Sequence, residues 1–290
     1  MKPIVIPMFP SVDTSDCGAV EAAVREVYRM MFPGSDPAVV ERAFRCVTGC
    51  FRGECPGYHA IDARYHDLEH TLQGTLCMVS ILAGRHRAGV TPPLTRRVFE
   101  LGVLAILLHD SGYAKRIGDT EGTGAKYTFT HVDRSAEFAE ELLRPKGLPI
   151  ADIRAIQHMI HCTGVNVDLE AIPFQDELER LAGYALGTGD LLGQMAAADY
   201  VDKLPVLYEE FAEATRFSGA GPAPTAGFSS AETLIRNTPR FWREFVRVKI
   251  DRDFAGVHHF LEDPYPGGPN PYVQAIEAHM DRIRRIYGES

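Results

Sequence analysis

The chain has 290 residues, 45% of them hydrophobic, and a formal net charge of −9. That is enough apolar material for one large domain or two small ones. An acidic balance with no run of Lys and Arg argues against a nucleic-acid polymer as partner, because such binders present a basic face. No uninterrupted apolar stretch reaches the roughly eighteen residues of a membrane span, so no membrane association is expected. The opening Met1 to Pro10 is too short and proline-rich for a secretory signal, and the expected location is cytoplasmic. Six cysteines in this length do not form a disulfide framework. Cys46, Cys50 and Cys55 match no zinc-knuckle spacing and are expected to be reduced thiols.

In chain order, residues 1–16 read as extended, and Ala19 to Met31 as a helix. Ser35-Asp36-Pro37 is a helix start, with proline in the first turn, and that helix runs to about Cys50. After a break at Gly53 to Gly57, a helix carries His66 and His70 on one face and ends near Gly84. Its apolar stripe is Leu68, Leu72, Leu76, Val79 and Leu82. Thr95 opens a helix whose end, Leu101 to Leu108, is apolar all round and so belongs in the interior. It stops at His109-Asp110-Ser111-Gly112.

Gly118 to Thr130 reads as a loop that could close as a lid. Thr128 or Thr130 then caps a helix beginning near His131, and Leu148-Pro149 opens another that runs to about Thr163. Leu178 to Leu186 and Asp190 to Phe211 read as two further helices. Residues 218–230 are rich in Gly, Pro, Ala and Ser and are the one linker candidate. Ser229-x-x-Glu232 has the form of a capping box before a long helix through Phe245, and residues 272–287 make a last amphipathic helix. Strand and hairpin signals are scarce, so the expected class is all-α: one domain of about ten helices over 1–290, with residues 229–290 packed on the rest.

The chemistry-bearing residues are His66 and His70, a turn apart on a helix, and His109-Asp110 at the end of a buried one. A histidine and a carboxylate buried together require pairing or a metal. Nitrogen with carboxylate oxygen suits Zn, Mn or Fe and, with more oxygen, Mg. No phosphate-binding glycine loop and no Gly-x-Ser-x-Gly nucleophile motif occur.

The order His70, His109-Asp110, His131 and a late aspartate resembles the HD-domain metal-dependent phosphohydrolases, over roughly residues 58–211. Tyr65-His66-Asp67-x-x-His70 is also similar to the Tyr-His-Asn-x-x-His signature of the cyclic-nucleotide phosphodiesterases in that superfamily. The resemblance implies a multi-helix HD-type bundle and a divalent metal (Zn, Mn, Fe, Ni or Mg), with room for a second ion. Its ligands would be His70, His109, Asp110 and the late aspartate. It places His66 where the phosphodiesterases keep a general acid, and His131 where HD proteins reach substrate or a second metal.

Asp190 and Asp199 both offer themselves as that aspartate. Nine residues advance a helix by about two and a half turns, so the two face opposite ways. Gly189-Asp190-Leu191 resembles the family's Ala-Asp-Leu, which selects Asp190, with Asp199 as the fallback. His161 sits on the flank of its helix and His158 nearly opposite the inward face of Ile153, Ile156, Ile160 and Thr163.

The reading is hydrolysis of a small, nucleotide-like phosphomono- or phosphodiester, assisted by metal, with an imidazolium from His66 or His131 protonating the leaving group. Ser111-Gly112-Tyr113-Ala114 departs from the phosphodiesterase sequence after its His-Asp pair, and no purine clamp is found by spacing, which argues against carrying cyclic-nucleotide specificity over. Two other classes remain: a di-iron oxygenase, which needs His131 and His161 as ligands, and an inactive module that keeps its metal structurally.

Overall fold

The computed structural model describes residues 11–165, 167–218 and 228–288. Among them it is all-α: α1 (Cys17–Met31), α2 (Ala38–Phe51), α3 (Leu68–Arg87), α4 (Arg96–Leu108), α5 (His131–Leu143), α6 (Ile150–His161), α7 (Glu177–Ala196), α8 (Tyr200–Phe217), α9 (Ala231–Phe241) and α10 (Pro271–Tyr287). One antiparallel bridge, Tyr58 to Arg116, is the only β pairing among the described residues. The linker candidate and the first ten residues lie largely or wholly outside them.

The caps explain the boundaries. The Thr95 hydroxyl accepts from the Val98 N–H and opens α4 as expected. Asp67 caps α3 by accepting from the His70 N–H at 2.8 Å, so α3 begins at Leu68 and His66 lies before it. The expected single helix through both histidines is therefore wrong. At α9 the cap is Ser230, one residue later than the Ser229 box, accepting from the Thr233 N–H. Neither Thr128 nor Thr130 caps α5 through its side chain; Thr128 Oγ1 turns back to the Ala125 carbonyl.

The break between α7 and α8 also falls elsewhere. Gly187 and Gly189 suggest an interruption, yet α7 runs through them to Ala196. A Cβ on Gly187 would stand 2.8 Å from the Cys162 carbonyl oxygen and 2.5 Å from Phe254, while Gly189 and Gly193 face α3. A Cβ on Gly193 would stand 2.6 Å from the Gln73 carbonyl oxygen, and one on Gly189 2.9 Å from that of Gly74. α3 and α7 form the most extensive helix pair among the described residues. Their backbones meet directly after His70 on one side and around Asp190 on the other.

One apolar cluster extends from Val20 in α1 to Ile283 in α10 and includes Ile106 and Leu108 of α4 together with Trp242 and Phe254. After α9 the chain continues through two π-helical segments, Trp242–Val246 and Lys249–Asp253, and a 3-10 turn, Val257–Leu261, that packs on α3.

The expectation of reduced thiols fails at Cys50 and Cys55, which are joined as a disulfide. The chain reverses after α2, with the Glu54 N–H donating to the Gly49 carbonyl at 2.8 Å, and this brings the two Cα atoms to 5.0 Å. Cys17, Cys46, Cys77 and Cys162 are free. No helix among the described residues is long and apolar enough to cross a membrane.

Candidate metal centre

Two helix ends and one helix middle converge on a sealed cluster. His70 comes from the first turn of α3, His109 and Asp110 from the end of α4, and Asp190 from within α7. His70 Nε2 stands 3.1 Å from Asp110 Oδ2 and 3.2 Å from Asp190 Oδ1. His109 Nε2 stands 3.3 and 3.4 Å from the same two oxygens. His70, His109 and Asp110 each offer a ligand atom within 4.8 Å of the others, all buried.

The donor chemistry fits a divalent ion. His109 Nδ1 donates to the Ile106 carbonyl at 2.7 Å, which leaves the Nε2 lone pair facing the carboxylates. His109 Nε2 and Asp110 Oδ2 are buried without hydrogen-bond partners, as is His70 Nδ1. Buried polar atoms are rarely left this way unless something other than protein atoms satisfies them.

Burial alone would make His70 harder to protonate, but the carboxylates of Asp110 and Asp190 close to its Nε2 reverse this and raise its pKa to about 10. His109 is raised too, the charges of Asp110 and Asp190 outweighing desolvation. Burial likewise opposes ionisation of the aspartates. The neighbouring imidazoles override it and hold both below the usual carboxylate range. Two ionised carboxylates in a sealed site favour positive charge between them. Protons on the imidazoles satisfy that demand, and so does a divalent cation with neutral imidazoles.

A second layer surrounds the cluster. His66 Nδ1 donates to Glu210 Oε2 at 2.6 Å, and Glu210 Oε1 accepts from the Tyr65 N–H at 2.7 Å. His131 Nδ1 donates to the Thr128 carbonyl at 2.7 Å, so its Nε2 keeps a lone pair and faces Asp110 Oδ1 at 3.7 Å. Burial holds His131 below the usual histidine pKa, which makes it less often protonated than expected. The ring of Tyr113 lies nearly parallel to both imidazoles, 4.5 Å from His66 and 4.8 Å from His131.

The Ser111-Gly112-Tyr113 stretch that departs from the phosphodiesterases thus has a local reason. A Cβ on Gly112 would stand 2.1 Å from the His131 carbonyl oxygen, so only glycine lets α5 approach the end of α4. The Gly112 N–H donates to Ser135 Oγ at 2.8 Å.

The side chains of His66, His131 and Asp190 are 13, 18 and 14% exposed, whereas those of His70, His109 and Asp110 are sealed. His70 also borders a small cavity of about 10 Å³ together with Tyr65, Gln194, Asp199 and Lys203. A larger cavity of about 310 Å³, lined by residues including Leu169, Phe174, Arg180 and Tyr184, shares no residue with it.

Asp199 does not join the cluster. It precedes α8 and pairs with Lys203 at 3.1 Å. The expectation that the two aspartates face opposite ways assumed a continuous helix, which the break at Ala197 removes. What separates Asp190 from Asp199 is the register of α7 on α3. His161 faces exposed Asp133 at 3.6 Å, and no candidate metal group among the described residues contains it. His158 is not turned to solvent; it bonds buried Glu179 of α7 at 2.8 Å.

Sequence reasoning missed Glu210 and Tyr113. Glu210 had a signal: with Val201, Leu204 and Ala214 it lies on the buried face of α8, and an acid in an apolar stripe needs a partner.

Residues 116–259 match the family described as Npun_R2479-like. The match spans just under half of the chain. It takes in His131, Asp190 and Glu210 and leaves out His66, His70, His109 and Asp110. No curated protein matches the chain.

Proposed function

We propose that the chain is a metal-dependent phosphohydrolase of HD type, acting on a small phosphomono- or phosphodiester. The observation that carries this reading is the meeting of buried His70, His109 and Asp110 with Asp190, where His109 Nε2 and Asp110 Oδ2 have no hydrogen-bond partner. These four residues would hold one divalent ion, which supplies Lewis acidity to a phosphoryl oxygen and acidifies water.

The chain's own residues do the rest. Glu210 fixes the His66 tautomer with Nδ1 protonated, so His66 Nε2 is the atom that exchanges a proton with the substrate. Tyr113 holds the His66 and His131 rings in place through its face. His131 presents an acceptor nitrogen and suits a hydrogen bond to substrate, or a second ion shared through Asp110, better than it suits acid catalysis. The net charge of the chain does not oppose a phosphate substrate, because a bound cation reverses the local potential.

The test is a screen of phosphomono- and phosphodiesters with Mn, Mg and Zn, run beside an iron-loaded O2-consumption assay. Release of phosphate from a monoester, or of alcohol and monoester from a diester, that disappears in His109→Ala supports the reading. O2 consumption without phosphate release supports the di-iron oxygenase, and neither supports a metal-bearing module without catalysis.

A further inference from the structure

A second histidine–carboxylate group lies in the segment after α9, remote in sequence from the first. Asp251 belongs to the second π-helical segment, and His258 and His259 follow in the 3-10 turn. One ligand atom from each of the three lies within 4.8 Å of the others. His258 Nε2 stands 3.3 Å from Asp251 Oδ1, and the two imidazole centroids are 4.2 Å apart.

The surroundings orient the donors. His259 Nδ1 donates to Glu262 Oε1 at 2.6 Å, and Glu262 Oε2 is itself anchored by the Gly267 N–H at 2.6 Å. A carboxylate on Nδ1 leaves the Nε2 lone pair as the free donor, the arrangement that supports metal-ligating histidines. That nitrogen faces Gly256: a Cβ there would stand 3.7 Å from His259 Nε2 and 3.2 Å from Cδ2. Gly256 has φ of +68°, so glycine is favoured by backbone as well as by room. His258 is 3% exposed, and its Nδ1 is buried without a well-formed hydrogen bond beside the Ile250 carbonyl. A buried imidazole is thus held with one nitrogen toward a carboxylate and a second imidazole alongside. The opposing feature is Arg247, 3.9 Å from Asp251 Oδ2, a surface contact that a bound cation would displace.

We propose that Asp251, His258 and His259 form a second metal site, for a single first-row divalent ion of the zinc, nickel or copper kind. Two nitrogens and one carboxylate oxygen select that class over magnesium or calcium. The remaining positions face solvent, because Asp251 and His259 are exposed. The site closes a short turn that carries Phe254 against α7 and Phe260 against α3, and so ties the C-terminal segment to the two helices that bear Asp190 and His70. It does not depend on the function proposed for the first cluster.

Zinc titration of the full chain, against a chromogenic chelator, tests it. Wild-type should take up one more equivalent than His259→Ala or Asp251→Asn, both surface changes. The same difference should persist in an Asp190→Asn background, where the first cluster is impaired. Glu262→Gln, which removes the orienting carboxylate and no ligand, should weaken the site about 10–100-fold. In copper(II)-loaded Asp190→Asn protein, adding His259→Ala should remove a two-nitrogen component from the electron paramagnetic resonance spectrum. Equal zinc uptake by wild-type, His259→Ala and Asp251→Asn would overturn the proposal.

Discussion

Two glycines face each other where α3 and α7 meet, and alanine should act on them in opposite directions. At Gly193 a Cβ would lie 2.6 Å from the Gln73 carbonyl oxygen and 2.7 Å from the Gly74 nitrogen, both backbone atoms that cannot rotate away. Ordinary contact begins at 3.4 Å, so α7 must move about 0.8 Å from α3. Overpacking of this kind costs about 1–3 kcal/mol, offset by the roughly 0.5–1 kcal/mol that alanine gains over glycine in a helix, for a net loss of up to about 2.5 kcal/mol. At Gly74 the nearest atoms, Ile106 Cδ1 and Asp190 Cα, are at 3.4 and 3.5 Å. There the propensity gain stands alone, and Gly74→Ala should stabilise by up to about 1 kcal/mol.

The displacement also reaches the cluster. Asp190 Oδ1 is 3.2 Å from His70 Nε2, while metal–ligand distances tolerate only about ±0.2 Å. Gly193→Ala should therefore lose bound metal as well as stability, and Gly74→Ala should keep both. Urea unfolding with an unchanged slope, together with metal content, reads both effects. If Gly193→Ala proved as stable as wild-type and equally metal-loaded, the α3–α7 contact argued above would be wrong.

His66→Asn should retain metal while turnover falls by about 10²–10⁴-fold, and less for nitrophenyl esters, whose leaving group needs no proton. Metal loss in that variant would instead make His66 a ligand. Glu210→Gln keeps an acceptor for the Tyr65 N–H but removes the carboxylate from His66 Nδ1; a fall of roughly 10–100-fold with an altered pH–rate profile and full metal content is expected. An unchanged profile would mean that Glu210 only supports the loop. Asp199→Asn should leave metal content and turnover within about twofold of wild-type, since a surface pair such as Asp199–Lys203 is worth at most about 1 kcal/mol; metal loss there would reinstate Asp199 as a ligand.

The all-α class was legible because apolar stripes at helical spacing and local caps such as Thr95 agree with the packing. The four converging residues were legible from the family-like order of His70, His109-Asp110 and Asp190, not from periodicity. The opposite facing expected of Asp190 and Asp199 assumed a helix that breaks at Ala197. His66 was drawn into α3 because a four-residue spacing looks helical, whereas Asp67 is a better cap than a helix interior residue. Glycine misled at 187–189, since its effect as a helix breaker yields when a neighbouring backbone occupies the space a side chain would need. Glu210 and Tyr113 were missed because their partners lie 144 residues away in one case and on another element in the other, and only tertiary packing joins them. The Cys50–Cys55 pairing depends on a local chain reversal that composition does not reveal.

The most direct test of the central claim is metal content by elemental analysis of protein purified without chelators, comparing wild-type with His109→Ala, Asp110→Ala and Asp190→Asn, each shown to be folded by circular dichroism. Every variant should carry one equivalent less of a divalent transition metal than wild-type. Equal metal in wild-type and all three folded variants would contradict it.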